Sequence, residues 1–447
     1  MLSVAGTDPW ADVAHLYRRA GFGGRPDELE AAAAAGYEAT VERLLGSTGA
    51  DTGLGGLADP VLTAPRLGEL ADPAARQALQ QQLARERQEL STWWLARMAS
   101  ATNPFPEKRT LFWHGHFATS IEKVRIPLLM YRQNQLLRSQ GDGDFHALTL
   151  AVAQDPAMLI WLDAASDRKD SPNENFAREL MELFTLGTGN YTEDDVRAGA
   201  RAFTGWRLDR RDYSFAFDAA DHDDGMKTFL GHTGDLSGED VIDIVTHHPA
   251  SPRWVASRVW SHFAYPTDPS DPVLDELVAA YTPELSLSAL FRALFLHPEF
   301  RGDRARSGLV KQPIEYVVGA VRVLAPDLLG PQSATPADGP GRLLSGVLAQ
   351  LGQVPFDPPN VGGWPQNGYW LTTASSLARL RFATSLVRRA DLSAVEDAPS
   401  SGRVEATARL LGISQWSDPT SSALSQVAGD PRSLVALALA SPEYVLN

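Results

Sequence analysis

Apolar residues recur every three to four positions along most of this chain, and each run is closed by proline, glycine or a small capping residue. Asp8 and Pro9 open the first run, which carries Trp10, Val13, Leu16 and Tyr17 on one face. Further runs predict helices at 26–35, 37–45 and 73–101, two more within 122–162, and one at 157–163 behind the cap Asp155. Thr192 and Asp195 occupy capping-box positions ahead of another helix, which turns Val196, Ala200 and Phe203 inward. The same period returns at 238–247, 252–262, 271–281 and 285–295. One stretch departs from it: Tyr213, Phe215 and Phe217 alternate with small or polar residues, as in a strand. The expected fold is therefore mainly α, an irregular multi-helix bundle with one small β-like excursion near residues 207–238. Segments 46–72, 325–341 and 392–404 read as loops or linkers.

The stretch 171–187 stands out. Pro172 suits a first turn, and Gly187 sits where a left-handed cap ends a helix. At about 100° per residue, Phe176, Ala177, Leu180, Met181, Leu183 and Phe184 fall on one arc. Glu174, Asn175, Arg178, Glu179 and Glu182 fall on the other, so three carboxylates crowd one arginine. A solvated acidic face accounts for these residues. So does a polar cluster in which a carboxylate holds Arg178 while the others bind a metal or move protons.

Charge narrows the partners. Forty basic against 55 acidic residues leave a net charge of -15, which repels a phosphate backbone and argues against general nucleic-acid binding. The absence of cysteine excludes thiolate metal sites and a cysteine nucleophile, leaving His, Asp and Glu as ligands for any divalent ion. No window reaches about 18 uninterrupted apolar residues, so no transmembrane segment is expected. The first residues lack a signal-peptide pattern, which places the chain in the cytoplasm, or outside it if the true start lies upstream.

Other candidate chemistry is scattered. His114 and His116 diverge by about 200° if their segment is helical, which weakens a simple metal pair and leaves a buried, hydrogen-bonded histidine as the plain alternative. The acidic loop 218–225 holds His222 and Asp223 with Lys227 close by; its register fails as an EF-hand, and it reads either as a surface turn or as a loop facing substrate or metal. The Pro/Gly-rich loop 353–368, together with Trp364 and Trp370, has the makings of a pocket wall. No serine elbow, phosphate-binding loop or dinucleotide fingerprint is present.

Taken together, His15-Leu16 with Arg19-Ala20-Gly21-Phe22-Gly23, Phe112-Trp113-His114 with His116-Phe117, and Asn173-Glu174-Asn175 with Ala177-Arg178-Glu179-Leu180 resemble the bacterial family catalogued as domain of unknown function 1800. The likeness continues through Tyr191, Asp195, Thr204-Gly205-Trp206, His222-Asp223, Lys227, Leu230-Gly231, Pro355, Pro358-Pro359-Asn360-Val361 and Gly363-Trp364-Pro365. It implies one family-wide helical domain over 1–447, a protein often exported and often encoded beside a sulfatase-like partner. It transfers no catalytic residue.

The reading that follows is a metal-dependent, hydrolase-like enzyme. Arg178, Glu179, His222 and Asp223 are its catalytic candidates, Trp206, Lys227 and Trp364 would bind substrate, and His114, His116, Glu174 and Glu182 would hold the metal. The alternative is a non-catalytic helical module that binds a glycan, peptide or partner protein through Trp206, Trp364 and Trp370. A cavity shared by Glu179 and His114 favours the enzyme; outward-facing carboxylates favour the module.

Overall fold

Helix starts in this chain are set by side chains that take up the first free amide groups. Asp8 accepts from Trp10 N at 3.0 Å, Asp155 from Ala157 N and Met158 N, and Asn173 from Asn175 N at 2.9 Å. Thr192 and Asp195 close the expected reciprocal box, with Thr192 N donating to Asp195 Oδ2 at 2.8 Å and Asp195 N to Thr192 Oγ1 at 3.2 Å. The computed structural model describes residues 8–46, 51–65, 73–329 and 340–447. It is 62% helical, with two small two-stranded antiparallel ribbons.

Most predicted helices appear within a residue or two of their expected bounds, including Pro9–Arg19, Pro73–Ser100, Glu193–Phe203, Gly238–Thr246 and Ser251–Phe263. The β excursion is two ribbons. Trp206–Asp209 pairs with Ser214–Phe217, Trp206 opposite Phe217, and Lys227–Phe229 pairs with His232–Gly234. Tyr213 lies in the turn of the first ribbon at φ 58°, ahead of the strand it was expected to open. Within 392–404, residues Ser393–Glu396 form a helical turn, and Leu392 and Val395 join the core. Segments 46–72 and 325–341 fall partly outside the described residues; their described parts include the turns Thr52–Leu54 and Pro326–Leu329. Among the described residues, no helix is long and apolar enough to cross a membrane.

Two large aromatic cores fill the molecule. One gathers Phe105, Trp113, Phe176, Phe203, Trp260 and Phe291; the other gathers Trp94, Tyr316, Phe356, Trp370 and Phe382. The helix Phe105–His116 stands between them, sending Phe112 and Trp113 into the first and Leu111 into the second. A helix covered all round must also bury its charges, and these are paired. Glu107 meets Arg97 at 2.9 Å and Arg138 at 2.8 Å, Lys108 meets Glu315, and Arg109 meets Asp142. His114 and His116 lie in the last turn of this buried helix.

The central helix changes register part-way. Glu174–Glu179 is α-helical, and Leu180–Thr185 is a π-helix in which Thr185 Oγ1 donates to Leu180 O at 2.6 Å. The wider turn shifts the backbone partners, and side chains from other helices meet two of its carbonyls. Trp254 Nε1 donates to Leu183 O at 3.0 Å, and His116 Nε2 lies 3.0 Å from Phe184 O.

Candidate functional site

The central helix turns its acidic face outward, as its periodicity predicts. Arg178 is clamped between Glu174 at 3.0 Å and Glu193 at 2.6 Å, and those side chains are largely exposed. Both partners hold its guanidinium in the charged form. Tyr191 donates to Glu182 Oε2 at 2.7 Å. Half-buried Glu179 is the exception: burial raises its carboxyl above the usual range, adjacent Glu182 raises it further, and Arg178 opposes them.

The β excursion holds a separate set. Arg201 takes Asp223 in a two-pronged pair at 2.6 and 3.1 Å, which holds that carboxyl down at about 2. His222 Nδ1 lies 2.8 Å from Thr204 O, so this ring tethers its loop to the end of the preceding helix. Lys227 is buried and pairs with Asp235 at 3.2 Å. Trp206 is core, with ring centroids 5.0 Å from both Phe203 and Phe215. Both were expected to bind substrate; Trp206 packs into the core from the first ribbon, and Lys227 ties the second ribbon to Asp235.

His114 and His116 part company as helical geometry requires. Trp94, Phe356 and Trp364 enclose His114, each at a centroid distance of 5.4 Å, and burial alone pushes it down to about 3. His116 points the other way, to Phe184 O, and burial with the nearby Arg258 charge pushes it also to about 3. The four residues expected to share a metal are thus held by different partners: aromatic rings, a carbonyl, Arg178 and Tyr191. Among the described residues only His146, Asp243 and His247 bring three metal-ligating side chains together.

One polar site does lie inside the fold. A cavity of about 30 Å³ is lined by His116, Arg258, His262, Gln312, Trp364 and Gln366, among others. The loop after residue 360 closes over it because Gly363, at φ +82°, lets its backbone lie against Gly115 O; a Cβ there would stand 2.3 Å from that oxygen. A carbonyl only accepts, so His116 carries its hydrogen on Nε2, and the low pKa keeps the ring neutral. Its buried Nδ1 is then a bare lone pair with no protein partner. His262 Nε2, Arg258 Nε and Trp364 Nε1 are likewise shut from solvent and unpartnered. Burial, Lys108 and Arg258 push His262 down to about 3, with Glu315 opposing.

A family model described as a protein of unknown function, DUF1800, matches residues 15–446. The chain belongs to that family. No curated protein and no solved structure matches it. The DUF1800 resemblance seen in the sequence therefore holds across nearly the whole chain, and the chemistry must be read from these side chains alone.

In this DUF1800 protein the sequence located Trp364 and His116 without showing that they line one cavity. It missed Arg258 and His262, one turn apart on Ser251–Phe263, a spacing that sets both on one face of that helix. Tyr191, named only for the family likeness, and Glu193 gave no sign that they organise the acidic face. A bare imidazole nitrogen opposite indole and guanidinium N–H donors can hold a group that both donates and accepts hydrogen bonds.

Proposed function

We propose that this DUF1800 chain binds a small hydroxyl-bearing polar group, an oxygen acid or one such group of a larger molecule, in the His116–His262 cavity. The observation that carries this is four polar atoms from three separate segments, all buried, all lacking protein partners, on residues lining one cavity. The volume suits one functional group rather than a whole substrate. Arg258 acts on both imidazoles, on His262 together with Lys108, and favours an anion over a cation. His116 Nδ1 then accepts from the ligand's O–H, while Trp364 and Arg258 donate to its oxygens. Isothermal titration with hydrogen carbonate, dihydrogen phosphate and formic acid–formate buffers tests this. Binding that Arg258→Gln and Trp364→Phe each weaken at least tenfold supports the reading; no binding by the native chain, or binding by both variants as tight as its own, sinks it.

A second reading rests on Glu179. A carboxyl raised by burial, beside Glu182 engaged by Tyr191, is the division of labour of a general acid and its anionic partner. It suits metal-free hydrolysis at an open face, with Arg178 as an anchor for substrate. Screening glycosides and esters with the native chain and Glu179→Gln checks it, and equal turnover by the two would remove it.

A further inference from the structure

His146, Asp243 and His247 each offer a ligand atom within 4.8 Å of the other two, and neither site above uses them. Asp243 and His247 are one turn apart at the end of Gly238–Thr246, and His146 comes from the first turn of Phe145–Ala153, which packs alongside. The two imidazole centroids are 5.7 Å apart, and Asp243 Oδ1 lies 3.1 Å from His247 Nδ1 and 4.0 Å from His146 Nδ1.

The surroundings fix both rings. Thr246 Oγ1 gives its hydrogen to Ile242 O at 2.8 Å, so toward His146 Nδ1, at 3.1 Å, it acts as acceptor. His247 Nδ1 lies 2.9 Å from the carbonyl oxygen of Asp243, which also only accepts. In the neutral rings both hydrogens therefore sit on Nδ1, the nitrogens that Asp243 Oδ1 approaches, and these become lone-pair ligands when the hydrogens shift to Nε2. Side-chain exposures of 29%, 64% and 53% leave the cluster reachable from solvent and let the Asp243 carboxylate turn.

We propose that His146, Asp243 and His247 bind one borderline divalent transition-metal ion of the zinc or copper class, completed by water. Two imidazole nitrogens and one carboxylate suit such an ion and not calcium or magnesium, which take oxygen. The ion joins the helices Phe145–Ala153 and Gly238–Thr246, so binding also stabilises the fold.

Isothermal titration of the full chain with zinc chloride, and separately with magnesium chloride, tests the proposal, with thermal melts of the same samples. The expected result is a zinc site that raises the melting temperature, with magnesium without effect. His247→Gln and Asp243→Asn should each weaken zinc at least tenfold, and His146→Gln/His247→Gln at least a hundredfold. Circular dichroism verifies that each variant is folded; because Asp243 and His247 are exposed, His247→Gln serves as the decisive single change. Zinc bound equally by native chain and folded His247→Gln, or no zinc bound by the native chain, overturns it.

Discussion

Glu107 shows at the scale of one residue what burying a charge requires here. Burial raises its carboxyl, but Arg138 and Arg97 outweigh that and hold it below the usual range, and Trp94 Nε1 donates to it at 3.0 Å. Glu107→Gln keeps the shape but leaves two guanidinium groups without their counter-charge, at an expected cost of about 3–5 kcal/mol in urea unfolding. Because the folded carboxyl lies below its unfolded value, its stabilisation is present above the unfolded pKa and is lost as pH falls through the folded one. Glu179 has the opposite sign. Its raised carboxyl makes the folded state prefer a proton, so its penalty grows as pH rises past the unfolded value. Glu179→Gln should therefore raise the melting temperature at pH 7 and leave it unchanged near pH 4. Solvent screening keeps that gain below about 1 kcal/mol, and an equal gain at both pH values would show that the charge is not its source.

At the scale of elements, caps and apolar periodicity were legible because each is local: a side chain two or three residues away satisfies the helix end. The π turn was not. Moving from a four-residue to a five-residue repeat changes neither composition nor the apolar arc, so Leu180–Thr185 reads as ordinary helix until Trp254 and His116 are seen on its carbonyls. The closeness of His116 to Arg258 and His262 was hidden for a related reason. It depends on how Phe105–His116 and Ser251–Phe263 lie against that turn, and no short-range pattern records it. The loop roof of the cavity offers a direct check. Gly363→Ala places a methyl against Gly115 O in a left-handed conformation and should destabilise by roughly 2–3 kcal/mol. Gly346→Ala, inside the helix Pro340–Leu351 with nothing within 4 Å of its added Cβ, should instead stabilise by up to about 1 kcal/mol. Paired urea melts that gave the same sign for both would contradict this account of the loop.

At the scale of the whole molecule, the two cores share the helix Phe105–His116, so acid that opens one must expose the other. His15, His114 and His116 are enclosed; burial, helped at His15 and His116 by neighbouring arginines, pushes His114 and His116 down to about 3 and His15 well below its ordinary value. His262, less fully covered, moves the same way. Below about pH 6.5 the unfolded chain protonates these rings and the folded one does not, so each removes about 1.4 kcal/mol per pH unit. Asp155 and Asp167 work against them: burial raises both to about 7, so the fold regains stability as they take protons between pH 7 and their ordinary value. Three or four imidazoles against two carboxyls leave a net loss of about 1–3 kcal/mol per pH unit, enough over two to three units to consume much of an ordinary folding free energy of about 5–15 kcal/mol. The chain should therefore unfold near about pH 3.5–4.5 in one transition, with near- and far-ultraviolet circular dichroism coincident. His114→Phe, in a cage of Trp94, Phe356 and Trp364, removes one of these rings and should lower the midpoint by roughly half a pH unit. An unchanged midpoint would mean that His114 is not held neutral, and two separate transitions would mean that the cores unfold independently.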